Sequence, residues 1–202
     1  MTGKPEPTLH DYPLSMVHAM CTSAPAEAAD LLERIGATRA EAEKAEKRWW
    51  FLDPTFELRT LAEYISAWGA PDSESVHPDT DGRVRYARWN LSFWPGLQIE
   101  LTEVRRANMF REFVRRPDAP QPRLRNLSDL MPWSCTLREL DDSEFGPLDH
   151  IDGVGAIGDL SAFLAIDPDS GRERAYWANF DWSLRQYVEP APAHYVWPLG
   201  ER

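Results

Sequence analysis

Asp149-His150-Ile151-Asp152 places two carboxylates and an imidazole within four residues. Carboxylate oxygens and imidazole nitrogens are the donors that divalent cations take, so this triplet is a candidate metal site for a hydrolase. Asp167-Pro168-Asp169-Ser170-Gly171 opens like a calcium loop. It lacks the third ligand, the continued spacing and the bidentate glutamate that such a loop requires. No H-E-x-x-H motif and no Cys/His zinc spacing occurs.

Nucleophilic and cofactor chemistry find less support. Ser161 stands in Gly158-Asp159-Leu160-Ser161-Ala162, which is not the G-x-S-x-G elbow of a serine hydrolase. Cys21 lies near His18 and Cys135 has no activating neighbour in sequence, so both thiols read as small core residues. Gly153-Val154-Gly155-Ala156-Ile157-Gly158 has a G-x-G step. Strand-like residues and turns follow it where a dinucleotide site needs a long helix. No cofactor is expected.

Charge is the stronger signal. The chain has 202 residues with 33 Asp+Glu against 22 Lys+Arg, a net charge of −11. Residues 139–171 hold nine carboxylates and no Lys or Arg: Glu139, Asp141, Asp142, Glu144, Asp149, Asp152, Asp159, Asp167 and Asp169. Residues 83–125 hold ten arginines and four acids. The acidic window is either a set of solvated loops or a negative face that steers and docks a cationic partner. In the second case Asp141, Asp142, Glu144, Asp149, Asp152 and Asp159 form the face, and Phe180, Asp181 and Trp182 flank it with an aromatic anchor. The arginines could contact phosphate, with Trp89 or Trp94 stacking on bases, or they could neutralise the acidic helices and the C-terminal acidic window. The acidic total argues against direct nucleic-acid binding, which needs clustered cations to displace counterions.

The elements that position these residues read as α+β. Hydrophobic residues make up 43% of the chain and nine are Trp, too apolar for a disordered acidic tail. No run of 18 apolar residues occurs, so no membrane span is expected. The first twenty residues lack a secretory pattern, which together with two cysteines suggests a reduced, cytoplasmic protein.

Residues 1–22 read as an irregular lead-in and residues 23–69 as helical. Ser23 and Pro25 open one helix that Gly36 closes, and Thr38-x-x-Glu41 is the spacing of a capping box opening another. Asp53-Pro54 opens a third, with Phe56, Leu58, Leu61, Ile65 and Trp68 as its stripe. Residues 71–82 read as a loop. Beyond them the period falls to two: Trp89, Leu91 and Phe93, then Leu97, Ile99 and Leu101, form a hairpin around Trp94-Pro95-Gly96. Val84 and Tyr86 are out of phase with Trp89, which suggests a bulge. Residues 105–114 fit helix or strand. Residues 117–123 are a proline-rich connector, and residues 154–157, 162–167 and 173–177 read as short strands. Residues 190–202 read as an irregular strap. The expectation is one domain over 1–202, with strands across 83–188 and N-terminal helices packed on one curved, mainly antiparallel sheet.

Residues 152–187 resemble the C-terminal half of the SUKH superfamily. The likeness lies in Ile157-Gly158-Asp159, the strand Phe163-Leu164-Ala165-Ile166-Asp167, the turn Ser170-Gly171-Arg172, then Ala175-Tyr176-Trp177 and Asp181. The glycine-rich stretch usual after Ile-Gly-Asp is replaced by Leu160-Ser161-Ala162. The family's N-terminal Leu-Pro lead and aromatic-Asn-Gly turn are missing. The resemblance implies an α+β, non-enzymatic binding module, often an immunity protein that neutralises a basic toxin domain, frequently a nuclease.

Overall fold

The computed structural model describes residues 8–52, 60–79, 82–104, 108–153, 158–181 and 183–198. It confirms the α+β class, with five α-helices and two four-stranded antiparallel sheets among the described residues. The chain divides into two compact units, Met1–Ala119 and Pro120–Arg202, at the proline-rich connector.

In the first unit, helices α1 (Asp11–Ser23), α2 (Pro25–Ile35), α3 (Arg39–Leu52) and α4 (Leu61–Trp68) precede strands β1 (Ser73–Asp79), β2 (Gly82–Asn90), β3 (Leu97–Val104) and β4 (Asn108–Arg115). The strands lie in the order β1-β2-β3-β4. Helix α1 replaces the irregular lead-in. Residues 11–17 are all buried, so the first two turns of the helix lack an exposed face and show no amphipathic period. Its Pro13 lies in the first turn, where a missing N–H breaks nothing. Pro25 opens α2, and Gly36 ends it in the left-handed conformation at φ 66°. The expected capping box is formed: the amide of Glu41 donates to Thr38 Oγ1 (3.2 Å) and that of Thr38 to Glu41 Oε2 (2.8 Å). Helix α4 has a second such box, from Thr60 and Glu63. The Asp53-Pro54 start, Phe56 and Leu58 lie outside the described residues.

Strand β1 occupies the expected loop. Its polar sequence, Ser-Glu-Ser-Val-His-Pro-Asp, hides an edge strand, the one place in a sheet where Pro78 is tolerated. The β2–β3 register runs unbroken from Val84↔Val104 to Asn90↔Gln98, so no bulge separates Tyr86 from Trp89. The phase change arises because β3 is buried on both faces from Leu97 through Glu103, so its neighbours carry apolar residues on both. Residues 108–115 resolve as strand.

Helices pack on this sheet through aromatic contacts. Tyr12 lies 5.6 Å from Phe113 and Trp68 meets Trp89 edge-on at 5.4 Å. The Trp89 indole donates to the Gly69 carbonyl (3.1 Å), and Arg111 donates to the Tyr64 hydroxyl (2.9 Å). Buried Glu103 accepts from the Leu61 amide (3.1 Å) and from Arg85 Nη1 (3.2 Å), tying α4 and β2 to β3.

The second unit holds a 3-10 turn (Leu127–Asp129), α5 (Leu137–Asp141), and strands β5 (Asp149–Gly153), β6 (Asp159–Ile166), β7 (Glu173–Asp181) and β8 (Leu184–Pro190), paired in that order. This separate sheet corrects the one-sheet expectation. Phe145, Phe163, Tyr176, Ala178 and Phe180 form its core with Leu124, Leu130 and Leu140. The turn expected at 167–171 is present, organised by Asp167, which accepts from the amides of Asp169 and Ser170 and the Tyr176 hydroxyl. Residues 154–157 lie outside the described residues.

Candidate functional site

The acidic surface belongs to the second unit, which carries 14 acidic residues against seven basic ones. Several arginines of the 83–125 segment pair with nearby carboxylates. Arg85 pairs with Glu74 and Glu103, Arg88 with Glu100, and Arg116 with Asp118. These partners lie in the first unit and outside the acidic window of residues 139–171.

The structure sorts the expected site residues by what their carboxylates already hold. Asp141 accepts from the Leu148 amide at 2.8 Å and closes the 141–148 loop. Gly146 is required there, because a β-carbon would overlap the Asp141 carbonyl oxygen. Asp142 and Glu144 make loose, exposed pairs with Arg138 (3.7 Å) and Arg125 (3.6 Å), which add little. Asp149 accepts from the Tyr195 hydroxyl. The carboxylates of Asp152, Asp159 and Asp181 form no ion pair or hydrogen bond among the described residues.

Two of these, Asp159 and Asp181, lie at one end of the sheet with raised carboxyls. Asp159 pairs in register with Phe180 and leans over Gly153, where a β-carbon would collide with its Oδ1. Asp181 follows at the end of β7, its Oδ1 3.5 Å from a β-carbon position on Gly158. Burial raises the Asp159 carboxyl, and a charge on His150 opposes the rise. Burial, followed by the Asp159 charge, pushes Asp181 up to about 6.

Phe180 corrects one expectation. It is 1% exposed within the core, so it supports the sheet and presents nothing to a partner. Trp182 lies outside the described residues. The proposed metal triplet is split by strand alternation. His150 and Ser161 pair in register, with Nδ1 and Oγ 3.1 Å apart, while Asp149 leaves the opposite face toward Tyr195. Among the described residues, no three His, Cys, Asp or Glu side chains are grouped to hold a metal ion. No described helix is long and apolar enough to cross a membrane.

Sequence reasoning missed the other face of this sheet. Register places Asp152, Leu160, Asn179 and Tyr187 in one row and Asp149, Ala162, Trp177 and Glu189 in the next. The Tyr195 ring meets Trp177 edge-on at 6.2 Å, so part of the expected C-terminal strap covers this face. Among the described residues, the buried Trp177 indole N–H and Asn179 amide nitrogen have no hydrogen-bond partner. The signal was the i, i+2 spacing of Trp177 and Asn179 on a strand, where both share a face.

Comparison of the chain with family models, with curated proteins and with solved structures returns no match.

Proposed function

We propose that the chain is a non-enzymatic binding module whose second unit docks a cationic protein through its acidic surface. The observation that carries this reading is that Asp152, Asp159 and Asp181 stand without cations among the described residues, two of them with carboxyls raised by burial. Such groups bear a desolvation cost that an incoming guanidinium or ammonium offsets. The net charge steers the encounter and the unpaired carboxylates then hold it. The SUKH resemblance supplies the partner class: a basic toxin domain, such as a nuclease, whose phosphate-binding cations are occluded by an immunity protein.

The test is capture with the full-length chain at low salt, followed by identification of the bound protein and measurement of its affinity across ionic strength. The reading expects a basic partner whose binding weakens as salt rises. A neutral or acidic partner bound equally well at all salt concentrations contradicts it.

A further inference from the structure

We propose that the face of the second sheet bearing Trp177 and Asn179 receives an extended, arginine- or lysine-bearing segment of the partner. Residues of the 191–198 strap cover part of that face in the free protein. The inference rests on the binding reading above and locates its site.

Three observations converge. First, Trp177 Nε1 and Asn179 Nδ2 are buried donors without acceptors among the described residues. Their residues lie two apart on one face of β7, about 7 Å along the strand backbone. The carbonyls of an extended segment that point to one side recur at the same interval, so one segment can satisfy both donors. Second, the two rows on this face carry Asp152, Asp149 and Glu189 and no Lys or Arg. Beside them, burial and then the charges of Glu189 and Asp181 raise the Tyr187 hydroxyl, so both carboxylates lie near that ring. Alternate side chains of a segment bound here meet acids and aromatic rings, the environment that accepts a guanidinium.

Third, the strap is an incomplete occupant. Tyr195 donates to Asp149 and packs on Trp177, and the Ala191 amide donates to the Ala175 carbonyl (3.0 Å). Among the described residues Trp177 Nε1 and Asn179 Nδ2 nevertheless stay unpaired, and the strap's own Trp197 indole N–H is also buried without an acceptor. Lifting Tyr195 exposes Trp177 and frees the Asp149 carboxylate to join the other acids. The closed strap therefore lowers apparent affinity by the fraction of molecules in which it is open.

The experiment titrates uniformly nitrogen-15-labelled full-length protein with acetyl-Arg-Ala-Arg-Ala-Arg-amide at low salt. The indole signals of Trp177 and Trp197 are identified by Trp→Phe variants. Shifts at those indoles and at the Asn179 side-chain amide are expected. Asn179→Leu should weaken binding about tenfold, and Tyr195→Phe should tighten it about threefold or more by loosening the strap. A gain of affinity cannot come from misfolding. Shifts confined to the surroundings of Asp142 and Glu144, or unchanged affinity in both variants, overturn this site while leaving the basic-partner reading intact. No shift anywhere overturns both.

Discussion

The carboxyl groups of Asp159 and Asp181 share one end of the second sheet, and neither meets a Lys or Arg among the described residues. Burial and mutual repulsion favour a proton on Asp181 near pH 6. A fold that keeps such a pair accepts lower stability at neutral pH, and a cation arriving at this corner relieves it.

Replacing Asp181 with Asn should therefore stabilise the protein at pH 7. The folded pKa lies above the unfolded value, so the folded state binds the proton more tightly and wild-type stability falls as pH rises from about 4 to about 6. The gain at pH 7 should be about 1–2 kcal/mol, below the full conversion of the shift because the side chain keeps some solvent contact. Urea denaturation at pH 4 and pH 7 measures it. An equal effect at both values would place the destabilisation elsewhere.

Asp167 carries the opposite sign. Hydrogen bonds from the Ser170 amide, the Tyr176 hydroxyl and the Asp169 amide hold its carboxyl down to about 2. Its contribution is present above pH 4 and is lost as pH falls toward 2. Asp167→Ala should lower the melting temperature at pH 7 and narrow the gap from wild type at pH 2. A gap that does not change with pH would show that the carboxylate charge is not the stabilising element.

Glu103 tests the first unit. It is 7% exposed and accepts from the Leu61 amide and Arg85. Glu103→Ala should cost about 1–3 kcal/mol, because a buried backbone N–H loses its acceptor. Glu103→Gln should recover part of that, since the amide oxygen still accepts. Chemical denaturation of the three proteins decides the order, and equal stability of all three would remove Glu103 as a tie between α4 and the sheet.

The sequence marked elements whose ends carry specific chemistry and concealed those defined by burial alone. Thr38 with Glu41, Pro25 with Gly36, and the turn from Asp167 to Gly171 were legible because each satisfies named backbone groups. Helix α1 was not, since Tyr12, Leu14, Met16 and Val17 are buried on all its sides. Strand β1 was hidden by its polar edge composition, and the second sheet by the assumption that consecutive strands join one sheet. In the acidic surface, charge showed which residues are anionic but not which are already used. Asp141 and Asp149 look identical to Asp152 in sequence, yet a backbone amide and a tyrosine hydroxyl occupy them. The unpaired Trp177 indole was not legible, because nothing in one strand's sequence reveals an N–H left without an acceptor among the described residues.

The central claim is that unpaired carboxylates of the second unit hold the partner. It is tested most directly by the affinity of the captured basic partner for wild type, the Asp152→Asn/Asp181→Asn double variant and Asp141→Asn. The double variant should bind about tenfold or more weakly with a shallower salt dependence, while remaining at least as stable as wild type. Asp141→Asn should bind as wild type, because its side-chain oxygen still accepts from Leu148. Equal affinity of the double variant and wild type across ionic strength would contradict the account.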